Sequence, residues 1–256
     1  MRKNLLICAA AAAALLSLAG GARAATITYT YEGVFQSGLD AAGIFGTAGD
    51  LTGVGFTAVF TRNHPAPGAT IIADATRSLI EGDAPHVPIH GALTVNGVTR
   101  TFGASYGSLE VRRDFCAPDC TQEAFVHFAA NSDVAYDAGG TIRTTEGSAM
   151  ILAGFGEPGF LPSLDFRTLP SLGLGDGVSF LGRAVFFTEV FDEAADQILS
   201  EDVAFEGFMA PVSLRVSTSV AAVPEPGAWA LMIVGFATAG AVLRRRGASA
   251  AVTLAT

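Results

Sequence analysis

Lysine is almost missing from this chain: the only one among 256 residues is Lys3. A body without lysine has no amine nucleophile, no Schiff-base chemistry and no lysine-derived isopeptide bond. Cysteine is scarce as well, with Cys8 in an apolar N-terminal run and only Cys116 and Cys120 elsewhere. Basic charge is thin. Taking Glu225 from the 24 acids, and Arg2, Lys3, Arg23, Arg244, Arg245 and Arg246 from the 15 bases, leaves residues 25–222 with 23 acids and 9 arginines, a net charge of −14. Such a surface repels nucleic acid and anionic lipid, and suits cations, basic proteins or neutral glycans. No Gly-x-Ser-x-Gly elbow is present, and Gly173–Gly177 reads as a turn because no Lys-Ser/Thr pair follows, as a phosphate loop requires. Helical periodicity is poor away from the two ends.

Short strand signals fill the body instead. Residues 26–31 alternate β-branched and aromatic types, and residues 54–61 place Phe56, Ala58 and Phe60 on one face. Residues 92–102 form the clearest hairpin pattern, with Asn96-Gly97 suited to the two positive-φ positions of a type I′ turn. Further strands are expected near 107–112, 124–130, 147–153, 179–190 and 203–209. Turn clusters lie at 43–55, 63–68, 137–140, 154–162 and 172–177. One short helix is expected near Glu193–Leu199. Many short strands with Gly-rich turns point to an all-β body, a β-sandwich of jelly-roll type over residues 25–215, with residues 216–223 as a Ser/Thr- and Ala-rich linker.

The two ends carry their own signals. Residues 1–24 read as a secretory signal peptide: Arg2 and Lys3 precede an apolar run from Leu5 to Leu18, and Ala22-Arg23-Ala24 is a small-x-small cleavage site. Cleavage between Ala24 and Ala25 makes Ala25 the new N-terminus. At the other end, residues 228–243 are sixteen uncharged, mostly apolar positions. As a helix they would extend about 24 Å, short of the roughly 30 Å of a bilayer core. Trp229 at one interface and the snorkelling Arg244, Arg245 and Arg246 at the other make up the difference. By the positive-inside rule the arginines keep residues 247–256 cytoplasmic. Pro224 and Pro226 set the upstream limit of the helix.

Pro224-Glu225-Pro226, then Trp229-Ala230, Met232-Ile233, Gly235-Phe236, Gly240 and Leu243 before three arginines, resembles the PEP-CTERM sorting signal in its Trp-Ala variant. The resemblance spans residues 224–246. It departs from the family at Ala237, where Gly is common, and in the tail after the arginines. It implies a substrate and not an enzyme: the tail is recognised by an exosortase, a membrane transpeptidase-like protein of Gram-negative bacteria that make extracellular polysaccharide. It further implies removal of the tail near Pro224, Glu225 and Pro226, transient anchorage in the inner membrane, and delivery of the body to the cell surface or matrix.

In an exported chain the even pair Cys116 and Cys120 reads as a local disulfide, with a redox pair or a metal site as alternatives. The densest carboxylate sets are Asp133 with Asp137, Asp192-Glu193 with Asp196, and Glu201-Asp202. None matches a calcium-loop pattern, so calcium stays an open alternative and no other cofactor is indicated. His86 and His90 flank Pro88 on an extended segment, about 13 Å apart by strand rise, too far to chelate one ion without a bend. His64 reads as a turn residue and His127 as a strand residue. The expectation is an exported, non-catalytic protein associated with exopolysaccharide. A glycan- or calcium-binding module and a polysaccharide-acting hydrolase remain the alternatives.

Overall fold

The computed structural model describes residues 25–64, 66–115 and 122–220. Ala25–Ser219 is one compact unit. Its thirteen strands are β1 (Ala25–Asp40), β2 (Gly49–Asp50), β3 (Gly55–His64), β4 (Thr70–Ala73), β5 (Arg77–Asp83), β6 (Ile89–Val95), β7 (Val98–Phe102), β8 (Tyr106–Arg112), β9 (Glu123–Tyr136), β10 (Ile142–Gly156), β11 (Leu172–Gly173), β12 (Val178–Asp192) and β13 (Gln197–Val220). Among the described residues there is no α-helix, only two single 3₁₀ turns at Phe166–Thr168 and Leu174–Asp176.

All strands join one sheet, in the order β4-β5-β8-β9-β10-β12-β13-β1-β3-β6-β7, with β2 added to β1 and β11 to β13. The sheet is antiparallel and strongly curled. Its first and last described strands, β1 and β13, lie side by side in the middle of this order. The two halves fold toward each other, so that β6 and β7 pack over β8, β9 and β10 without sharing their ladder. Alternation along each strand then builds the core. Tyr29, Tyr31, Phe60, Leu93 and Phe102 come from one half, and Leu109, Phe125, Met150, Leu152 and Phe205 from the other, all essentially without exposure.

Two local devices close the curl. Gly33 and Gly38 of β1 lie against the backbone of Ala210 and Glu206 of β13, and the Ala42 N–H donates to the Ala204 carbonyl at 3.1 Å. Pro211 of β13, which has no N–H to give, falls in the gap between the β12 partners, ending at Met209, and the β11 partners, beginning at Ser213. At the far end of β1, buried Asp40 accepts from the N–H groups of Ile44 and Phe45, at 2.7 and 2.8 Å, which seats Phe45 in the core.

The 92–102 hairpin stands as expected: Asn96 and Gly97 have φ of 51° and 78°, and Val95 pairs with Val98. Three expectations are corrected. The helix near Glu193–Leu199 is a hairpin turn followed by β13; Asp192 accepts from the N–H groups of Ala194 and Ala195, and Asp196 takes a φ of 53°. The linker expected at 216–223 begins too early, because Val216–Val220 continues β13 and the Val216 N–H donates to the Ser171 hydroxyl. The alternation of valine with serine and threonine there is strand chemistry. Several strands also run further than expected, notably β1, β9, β10 and β13, and β4 and β5 were not foreseen. No described helix is long and apolar enough to cross a membrane; residues 228–243 lie outside the described residues.

Candidate functional site

Two depressions open where the halves of the sheet part, and both touch Ala104 and Asn131. One, of about 430 Å³, runs past Ser105, Asp133, Glu146, Phe186 and Thr188. The other, of about 500 Å³, is lined by Val59, Thr61, His90, Thr101 and Phe102. They meet at Ala104 and Asn131 as one groove, whose lining mixes hydroxyl, amide and carboxylate groups with phenyl and aliphatic ones.

Asn131 builds the junction. Its carbonyl accepts from the Ala104 N–H at 2.8 Å, and its amide donates to the Thr101 carbonyl at 2.7 Å and to the Ser148 hydroxyl at 3.2 Å. Ser105 doubles the clamp: its hydroxyl donates to the Ser132 carbonyl and accepts from the Ser132 N–H. The β7–β8 connection is thereby tied to β9 and β10. Asp133 and Glu146 sit directly opposite each other on β9 and β10, with Thr188 and then Asp202 continuing the row. These carboxylates are side by side on one sheet. Paired-carboxylate glycoside hydrolysis instead holds its two groups across a cleft.

A second polar cluster is sealed inside the core. The Tyr31 hydroxyl meets His127 Nδ1 at 2.8 Å, and the imidazole packs 4.4 Å from the Tyr29 ring and 5.1 Å from Phe60. Burial pushes the His127 pKa down to about 3, so the ring is neutral. Burial pushes Tyr29 up to about 12 against the lowering effect of Arg62, and pushes Tyr31 well above the ordinary phenol range. Arg62 is fully buried, with its guanidinium 4.2 Å from the Phe166 ring centroid, and the Tyr29 hydroxyl donates to the Phe166 carbonyl at 2.9 Å. These side chains are all buried, and the Tyr29–Phe166 bond ties the cluster to the segment after β10. Together with Glu123, which accepts from the Leu161 N–H at 2.8 Å, it pins the long β10–β11 connection over the end of the core.

The other expected residues are placed elsewhere. Asp137 closes the β9–β10 turn by accepting from the N–H groups of Thr141 and Ile142, which holds its pKa below the usual carboxylate range. Glu193 pairs with Arg143 at 2.8 Å. Glu201 and Asp202 point to opposite faces of β13 by register. His86 lies in the β5–β6 connection and His90 on β6. Among the described residues no three His, Cys, Asp or Glu side chains are arranged to share a metal ion. Ala25 is the first residue of β1, paired with position 64 of β3. Ala24, Cys116, Cys120, Pro224, Glu225, Pro226, Trp229, Arg244, Arg245 and Arg246 lie outside the described residues. Asn131, Ser105 and Arg62 are not singled out by the sequence, where each falls just outside an expected strand. Compared with known protein families and with curated proteins, the chain matches none.

Proposed function

We propose that this chain is an exported, non-catalytic surface or matrix protein whose β body is delivered by two terminal signals. The observation that carries the reading is a coincidence of boundaries. The compact unit begins at Ala25, the residue that signal cleavage would expose, and ends at Ser219, just ahead of Pro224. Processing at both places would release this compact unit intact. In this reading an exosortase-type enzyme recognises Pro224-Glu225-Pro226 and Trp229, while residues 228–243 hold the chain in the inner membrane until the tail is removed. The curled sheet is a sandwich of jelly-roll kind, and its groove offers threonine hydroxyls, carboxylates and phenyl groups to a neutral exopolysaccharide. A body of net charge −14 disfavours an anionic polymer as that partner.

Replacing Pro224-Glu225-Pro226 by three alanines tests the sorting step in the host. The expected result is a longer form that stays in the membrane fraction, seen by immunoblot with an antibody to the body. Wild type and variant of equal length and location would overturn it.

A further inference from the structure

The outward face of β9, β10, β12 and β13 is unusually apolar for a surface. Register places Phe128, Ile151, Arg183 and Phe208 in one row across the four strands, and Ser132, Gly147, Phe187 and Val203 in another. A third row, at the end of the strands, is Tyr136, Arg143, Phe191 and Ile198. Tyr136, Leu181, Ile198 and Phe208 are 58, 52, 54 and 45% exposed. Scattered surface apolars need no explanation, but a contiguous sheet face of them marks an interaction surface.

Both arginines on this face are paired within the chain. Arg183 bonds Glu206 at 2.6 Å and leans over Phe208, 5.7 Å from its ring centroid. Arg143 pairs with Glu193 of the β12–β13 turn at 2.8 Å and with Glu189 at 3.4 Å, and lies 5.0 Å from the centroid of Phe191. With Glu201, opposite Glu189, the strand positions of the face hold two arginines against three glutamates, and Glu193 adds one more at its edge, a small excess in a body that is otherwise strongly acidic.

We infer that this face is the interface of a homodimer, two copies stacking sheet on sheet. Strands of 14 and 15 residues at about 3.3 Å per residue, four abreast at about 4.8 Å, present roughly 900 Å². A standard stable interface needs about 800 Å² per partner. Two copies of an acidic chain repel through most of their surfaces, and this face, with its small acidic excess, is where they can meet. Aligned sheets pack about 10 Å apart through interdigitating apolar side chains, which these rows supply. A bilayer is the poorer occupant, because it would bury the Arg183–Glu206 pair in hydrocarbon without new partners.

The test is the stoichiometry of the protein as purified from its host, measured by native mass spectrometry and sedimentation, for wild type, for Leu181→Glu with Phe208→Glu, and for Ile71→Glu on β4. Circular dichroism checks that each is folded. The expected result is a dimer for wild type and Ile71→Glu, and a dissociation constant raised at least ~100-fold for the double variant, since the interface loses central apolar anchors. A monomeric wild type, a dimer untouched by the double change, or a monomer that floats with phosphatidylcholine vesicles would overturn the inference. Stoichiometry is independent of tail processing, so failure of the sorting reading would leave it standing; flotation is scored against the double variant, which alters the face and keeps whatever tail the wild type has.

Discussion

Replacing Gly33 by alanine is expected to cost the body about 3 kcal/mol, and replacing it by valine more, although the glycine sits in a strand where most side chains are welcome. A Cβ built on Gly33 meets the Ala210 carbonyl oxygen and stands 2.7 Å from Pro211 Cα and 3.0 Å from the Ala210 carbonyl carbon. All three are backbone atoms, and a backbone cannot rotate out of the way as a side chain would. Relief requires β1 and β13 to separate at the point where the curl closes. Gly175 is the matched control: an added Cβ there meets no atom within 4 Å. Urea unfolding followed by circular dichroism should show a lower midpoint for Gly33→Ala and, for Gly175→Ala, one within about 0.5 kcal/mol of wild type. Equal midpoints for the two variants would mean that β13 does not run against β1 as described.

Acid should weaken the fold through His127 before it reaches the carboxylates. The imidazole is buried and neutral, with a folded pKa near 3 against 6.5 for the exposed side chain. Because the folded value is depressed, the unfolded chain binds the extra proton first. The stability that depends on the neutral ring is therefore full above about pH 6.5 and falls as the pH drops toward 3. The expected slope is on the order of 1 kcal/mol per pH unit over the upper part of that range. Asp50, Asp74, Asp137 and Asp165 have pKa values held below the ordinary 3.8 by hydrogen bonds, from Thr52, Thr76, Ile142 and Arg167 respectively. Their contributions are present above that value and lost only at lower pH, so the interval from 6.5 to 4.5 isolates His127. Tyr31→Phe alone removes the hydroxyl that satisfies Nδ1 and should cost about 1–3 kcal/mol at pH 7. Tyr31→Phe with His127→Leu removes both polar groups, should cost less than the single change, and should flatten the slope between pH 6.5 and 4.5. A slope unchanged in the double variant would assign the acid sensitivity to another group.

How far the fold can be read in the sequence depends on whether local chemistry or long-range register decides each part. Asn96-Gly97 was legible because both residues of its turn must adopt positive φ and those residue types tolerate it. The alternation in 26–31 marked the start of β1, but Gly33 and Gly38 resemble strand breakers until β13 is laid beside them. Residues 193–199 contain good helix formers, yet so short a stretch cannot nucleate a helix against a hairpin whose ends are already paired. Serine and threonine made 216–220 look like a linker, although ladder pairing makes them a strand. The groove was hidden for the same reason. Asn131 and Ser105 are ordinary polar residues in sequence, and they become a clamp only when β9 is registered against β8 and β10. Among the carboxylates dense in sequence, Asp137 and Asp192 cap turns and Glu193 balances Arg143, whereas Asp133 and Asp202 fall in one row only through register.

The central claim is that one folded body is delivered by a removable leader and a removable tail. The intact mass of the protein recovered from its own host, measured separately in membrane, surface and medium fractions, tests it most directly. The account predicts a released species that begins at Ala25 and ends between Pro224 and Pro226. A membrane-bound species that retains Arg244 to Thr256 as the mature form would contradict it.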